Sequence, residues 1–156
     1  MCRAIVSMCC DARLRCGSWD VQVFRVTRLD DKKNQYKVVI NAQENRLTGV
    51  CVITEEGINV VVVEGEKKGI RRFHRLMTHR INWNPTIDVE EADDEMFEEL
   101  NKCFLVWQGK TAEGAFEDFR KQEVGGDIEG RAILAAAGVA HYWDAAQNFA
   151  ADGVNA

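Results

Sequence analysis

The residues with the clearest chemical potential form a basic cluster between Gly65 and Trp83. Placed on a helix, one row of cations recurs at a spacing of four and a second row lies beside it: Lys67, Arg71, Arg75 and His79, with Lys68 and Arg72. Residues three and four apart share a helix face, so these six groups would lie on one side. Such a face indicates a polyanionic partner, although the solvated side of a packing helix gives the same pattern.

An apolar face is predicted on the other side of the same helix. It would consist of five residues at spacings of three and four: Ile70, Phe73, Leu76, Met77 and Ile81. This period predicts an amphipathic helix packed against a core.

The charge of the chain is unevenly distributed. Its 156 residues, 46% of them hydrophobic, suit one domain with its own core. The formal net charge is −5, but eight of the 25 acidic residues lie in 86–100, where there is no Lys or Arg. The remainder therefore carries +3. We predict that 86–100 is a solvated acidic loop between two structured pieces.

The other compositional signals mainly exclude functions. The six cysteines form no CxxC pair and have no His-x-x-x-His nearby, so we expect no zinc and no cofactor. There is no apolar run of about 18 residues, so we expect no membrane span. Residues 1–18 are predicted to be a flexible N-terminal extension, 19–150 one domain, and 151–156 a tail.

The pattern of elements predicts an α+β fold. A strand at 20–29 is followed by a helix beginning at Asp30 and Asp31, although KVVIN (37–41) also suits a short strand. A hairpin follows at 48–65, turning at 55–57, and after the basic helix comes a fourth strand at 102–107. A short helix at 115–124 and a longer one at 128–143, interrupted at Gly138, complete the chain.

This order is that of the ferredoxin-like split βαβ class. It implies a four-stranded antiparallel sheet with helices mainly on one face and a C-terminal helical extension. The apolar run Ile58 to Val63 predicts a central strand, either covered on both faces or open to a ligand on one.

Signals for catalysis are weak. The HYWD stretch could place the His141 imidazole beside Asp144. Arg28 is near the loop after the first strand, where an acylphosphatase-like enzyme would need an arginine in a phosphate-binding loop. The loop after Arg28 is acidic and lacks glycines, and no GxSxG, P-loop or HExxH motif occurs. We therefore expect no enzymatic activity.

Five blocks of sequence together resemble a known family. They are NRLTGVCVI (45–53), INVVVVEG (58–65), FHRLMTHRINW (73–83), NKCFLVWQG (101–109) and GVAHYWD (138–144). In order and spacing they resemble the C-terminal domain of the U4/U6 small nuclear ribonucleoprotein pre-mRNA processing factor three. The likeness runs from about Val21 to Phe149.

The resemblance implies a non-enzymatic, ferredoxin-like RNA-binding domain in the spliceosomal U4/U6.U5 tri-snRNP. Such a domain would act in the nucleus in pre-mRNA splicing, with other tri-snRNP proteins. It would contact the U4/U6 duplex and the adjoining single-stranded U6. From charge and aromatic character within the matching blocks, the candidate RNA-binding residues are Lys67, Lys68, Arg71, Arg72, Arg75, His79, Arg80, Lys102, His141, Tyr142 and Trp143.

Two further expectations accompany this resemblance. The family contacts the duplex with a helical segment upstream, and only about twenty residues precede the first strand here. We therefore expect the basic stretch alone to bind RNA weakly. The alternative function is a non-spliceosomal protein-interaction domain, in which the basic helix binds an acidic partner.

Overall fold

The computed structural model of the chain describes residues 19–84 and 100–149. The predicted N-terminal extension (1–18), the tail (151–156) and nearly all of the predicted acidic loop (86–100) lie outside the described residues. Among the helices that are described, none has the length and apolar character needed to cross a bilayer.

The described chain forms five strands and four helices. They are β1 (Trp19–Val26), α1 (Lys32–Glu44), β2 (Thr48–Thr54), β3 (Asn59–Gly65), α2 (Lys67–Arg75), β4 (Cys103–Thr111), β5 (Phe119–Val124), α3 (Asp127–Ala136) and α4 (Ala140–Gln147). A π-helical turn, Leu76–Arg80, extends α2. The helix after the first strand, the hairpin and the basic helix are confirmed, and Gly138 separates α3 from α4 as predicted.

The sheet contains the predicted core and one strand more. Its order is β4-β1-β3-β2-β5. The pairs β4-β1, β1-β3 and β3-β2 are antiparallel, and these four strands have the ferredoxin-like connectivity. The prediction of a four-stranded, wholly antiparallel sheet is wrong, because β5 pairs in parallel with β2.

The fifth strand lies where a short helix was predicted. Phe119 is its one buried residue, and the exposed run from Arg120 to Glu123 is charged or polar. An edge strand needs only one paired side and is protected from further pairing by charge, so apolar alternation is weak there. The short helix that the spacing of Ala115, Phe116 and Phe119 predicted is therefore wrong, and Phe119–Val124 forms a strand instead.

The central strand β3 is covered on both faces. Val60, Val61, Val62 and Val63 are all 0% exposed. Because side chains alternate along a strand, Val61 and Val63 pack with α1 and α2, whereas Val60 and Val62 pack with α3 and α4. Of the two predicted alternatives for this strand, the structure shows the one in which both faces are covered. The expectation of helices mainly on one face is corrected, because the C-terminal pair covers the other face.

A buried carboxylate fixes the loop between β4 and β5. Glu64, which is 0% exposed, accepts hydrogen bonds from Ala115 N to both oxygens at 3.0 and 2.9 Å and from Phe116 N at 3.3 Å. It also accepts one from Thr48 Oγ1 at 3.1 Å. Burial raises the pKa of this carboxyl above its ordinary value, although these hydrogen bonds oppose the shift.

The raised pKa of Glu64 predicts a pH-dependent cost to stability. The pKa of this carboxyl is higher in the folded chain than in the unfolded chain, where it is near 4.5. Its contribution to the stability of the fold is therefore fully present at a pH below the unfolded pKa. The fold loses that contribution as pH rises through the folded pKa. We expect the free energy of unfolding of Glu64→Gln, relative to the unsubstituted chain, to increase between pH 4.5 and neutrality in urea denaturation. A difference that stays constant with pH would contradict this assignment.

Candidate nucleic-acid interface

The amphipathic character of α2 positions the basic residues. Gly65 ends β3, and α2 begins two residues later, lying against β1 and β3. The predicted apolar face is confirmed, since all five of its members are buried: Ile70, Phe73, Leu76, Met77 and Ile81. Burial of this face leaves the opposite side of α2 in solvent.

The basic residues of α2 and its π-helical turn are exposed. They are Lys67, Lys68, Arg71, Arg72, Arg75, His79 and Arg80, which we call the basic surface. Across residues 19–84 and 100–149, none of these side chains forms an ion pair. A cluster dominated by one sign of charge creates a positive potential that attracts anions.

The π-helical turn changes which cation continues the row. Ile81 N donates to Leu76 O at 2.9 Å, a bond that spans five residues. The indole Nε1 of Trp83 donates to Met77 O at 2.9 Å and closes the helix end. The sequence predicted that His79 follows Arg75 at a spacing of four. The wider turn instead brings Arg80 to the row, five residues after Arg75.

A groove of about 580 Å³ separates α2 from the C-terminal end of α1. One wall carries five cations of the basic surface: Lys68, Arg71, Arg72, Arg75 and Arg80. The other wall is formed by Asn41, Glu44 and Asn45. The sequence reasoning missed these three residues, because only the packing of α1 beside α2 brings them to the basic row.

The end of α1 is held by a Schellman motif. Leu47 N donates to Ala42 O at 2.9 Å, and Arg46 N donates to Gln43 O at 3.0 Å. Arg46 has a φ of 58°, a conformation that favours glycine. The C-terminal end of a helix carries a partial negative charge, which favours the cations across the groove.

A glycine brings the two walls close together. A Cβ added to Gly69 on α2 would lie 2.8 Å from the backbone oxygen of Asn45 and 3.1 Å from Leu47 Cδ2. Only glycine therefore permits this approach of α2 to the end of α1.

The HYWD residues do not belong to this surface. Tyr142 and Trp143 are 4% and 0% exposed and pack in the core on the opposite face of the sheet. Neither therefore offers a free ring to a base. His141 is exposed, with its ring centroid 4.5 Å from that of Tyr142.

The remaining predicted groups also lie apart from the groove. The carboxylate of Asp144 accepts two hydrogen bonds from Arg131, at 2.9 and 3.1 Å, which lower the pKa of Asp144. Asp144 is therefore engaged by Arg131 rather than by His141. Lys102 is half-buried immediately before β4. In the part of the chain that the structure describes, no three His, Cys, Asp or Glu residues are grouped closely enough to hold a metal ion.

Comparison with known proteins identifies the family. The sequence model of the family described as small nuclear ribonucleoprotein Prp3, C-terminal domain, matches residues 22–146. The chain belongs to this family. The resemblance drawn from the five sequence blocks is thereby confirmed.

Two relatives illustrate the family. This Prp3 C-terminal domain is 43% identical over 135 residues to Protein RDM16 of Arabidopsis thaliana, covering 85% of the chain and 17% of that protein. It is 29% identical over 151 residues to the U4/U5/U6 small nuclear ribonucleoprotein prp3 of Schizosaccharomyces pombe, covering 88% of the chain and 26% of that protein. The chain thus spans about a sixth to a quarter of the length of these relatives.

Two solved structures of other proteins show a distant likeness. The first is full-length HypF, with a TM-score of 0.40 and 17% identity, covering 69% of the chain and 12% of HypF. The second is an acylphosphatase from Bacillus subtilis, with a TM-score of 0.42 and 12% identity, covering 66% of the chain and 97% of that protein. Neither likeness bears on the function of this Prp3 C-terminal domain.

The contact at Gly69 predicts an unusual effect of alanine. Gly→Ala within a helix normally stabilises by about 1 kcal/mol. At Gly69 we expect a loss of about 1–2 kcal/mol, because the backbone of Asn45 must move. Urea denaturation of Gly69→Ala and of the unsubstituted chain tests this, and a Gly69→Ala variant at least as stable as the unsubstituted chain would contradict it.

Proposed function

We propose that this domain is an RNA-binding component of the spliceosomal U4/U6 particle. In this proposal it acts in the nucleus beside other proteins of the tri-snRNP. The basic surface contacts the U4/U6 duplex and the adjoining single-stranded U6. The observation that carries the proposal is the set of six exposed Lys and Arg side chains, with His79 beside them, that form no ion pairs among the described residues. Membership of the Prp3 C-terminal domain family indicates which polyanion to expect.

The dimensions of the basic surface suit a nucleic-acid strand. From Lys67 to Arg80 the helix rises about 20 Å, and successive cations of one row rise about 6 Å. A strand of RNA presents its phosphates at a similar repeat. Several phosphates can therefore be neutralised together, with release of their counterions.

The architecture favours contact through phosphates rather than through base stacking on the sheet. Many RNA-binding domains splay bases on an open sheet face with exposed aromatic rings. Here α1 and α2 cover one face, and α3 and α4 cover the other. The binding surface must therefore lie outside the helices, where the basic surface is the strongest candidate.

The salt dependence of RNA affinity tests this function. The probe is U4/U6 stem RNA with its U6 overhang, titrated by fluorescence anisotropy at several salt concentrations. We expect Arg71→Ala combined with Arg75→Ala to weaken binding and to reduce the slope of log affinity against log salt by about two. Two fewer neutralised phosphates cause this change.

A matched control removes the same charge elsewhere. Arg120 on β5 pairs with Asp118, and Arg131 on α3 pairs with Asp144, both exposed. Replacing both with alanine should leave the slope unchanged, because neither arginine belongs to the basic surface. The fold should also be retained, because surface ion pairs contribute only about 0–1 kcal/mol to stability. Equal effects of the two double variants would contradict the proposal. Association with tri-snRNP proteins that survives ribonuclease but is lost in Arg71→Ala/Arg75→Ala would favour an acidic protein partner instead.

A further inference from the structure

The groove beside α2 has two walls of opposite hydrogen-bonding character. The α2 wall presents donors only, from one lysine and four arginines. The α1 wall carries Asn41, Glu44 and Asn45, which share one helix face at spacings of three and four.

Local hydrogen bonds of the amide nitrogens on the α1 wall leave the amide oxygens there open to accept. The side-chain amide nitrogen of Asn41 donates to Lys37 O at 2.8 Å, and that of Asn45 donates to Asn41 O at 2.8 Å. One N–H of each amide is thereby engaged with backbone. Within 19–84 and 100–149, no donor binds either amide oxygen, so both remain open to a ligand.

Glu44 adds a carboxylate to this wall. It is exposed and lines the same groove as five cations, yet it forms no ion pair with any described residue. A carboxylate repels a phosphate and therefore weakens polyanion binding, unless it meets a donor on the ligand. The ligand that fits must combine anionic groups with nearby hydroxyl or N–H donors.

We propose that this groove selects RNA over DNA. The cations on α2 bind phosphates, while Asn41, Glu44 and Asn45 accept hydrogen bonds from ribose 2′-hydroxyl groups. The inference rests on the proposed RNA-binding function and names the feature of the nucleic acid that this site reads.

The chemistry of the sugar explains the choice. In RNA every ribose carries a 2′-hydroxyl donor close to the backbone phosphates, so one strand offers anions and donors side by side. A deoxyribose strand has the same phosphates but no hydroxyl there. In the groove it would leave the α1 acceptors without partners and would still be repelled by Glu44.

Three single strands of the U6 overhang sequence test the inference: RNA, 2′-O-methyl RNA and DNA. The 2′-O-methyl strand retains a substituted 2′-oxygen but has lost the donor. At one salt concentration we expect the full chain to bind RNA roughly tenfold more tightly than either analogue, as for one or two hydrogen bonds lost.

Variants of Glu44 separate hydrogen bonding from charge. Glu44→Ala removes both, whereas Glu44→Gln removes the charge but retains an acceptor oxygen. Both should tighten DNA binding, because the repulsion of phosphate by the Glu44 carboxylate is removed. Glu44→Ala should also lose the hydrogen bond accepted from RNA, so it should lower the RNA-to-DNA affinity ratio by roughly fivefold, whereas Glu44→Gln should lower it less. Asn41→Ala should also lower this ratio. The charge control is Glu129→Ala on α3, on the opposite face of the sheet, which should leave the ratio unchanged.

Two results would overturn the inference. One is equal affinity of the unsubstituted chain for the three strands. The other is a ratio that neither Glu44→Ala nor Asn41→Ala changes. Either result, with the salt slope still dependent on Arg71 and Arg75, would leave the proposed function standing and remove only the sugar selectivity. RNA binding that does not depend on those arginines would instead contradict the proposed function itself.

Discussion

The burial of β3 on both faces is the constraint on which the rest of the structure depends. Four consecutive valines, Val60 to Val63, point alternately to two separate cores. Each core needs its own cover, so α1 and α2 pack on one face and α3 and α4 on the other. The ferredoxin-like core thereby becomes a three-layer domain, and no face of the sheet remains free for a ligand.

Because the sheet is covered, binding must use the outer surfaces of the helices. Helix α2 is suited to this because its apolar side packs against the sheet and its charged side faces solvent. The ring centroids of Phe73 on α2 and Phe24 on β1 lie 5.9 Å apart. The π-helical turn at its end aligns Arg80 with the row, and the close approach at Gly69 sets the end of α1 beside it. The groove is therefore a product of helix packing rather than of one motif.

Much of this arrangement could be predicted from periodicity. The hairpin and both faces of α2 follow from strong local patterns, which the structure confirms. The edge strand β5 could not be predicted, because its identity depends on pairing with β2 rather than on its own pattern. The acceptors on α1 were missed for a similar reason, because only the packing of α1 against α2 places Asn41 and Glu44 in one groove with the arginines. Trp143 was a candidate for base stacking by residue type, but Gly130 leaves space for its ring in the core.

Hydrogen exchange of the domain, with and without U4/U6 RNA carrying the U6 overhang, tests the central claim most directly. The claim is that α2, its π-helical turn and the end of α1 form the RNA interface. It predicts that RNA slows amide exchange in residues 41–45 and 67–80, the segments that line the groove. Helices α3 and α4, residues 127–147, should exchange at unchanged rates. Protection confined to 127–147, with none in α2, would contradict the account.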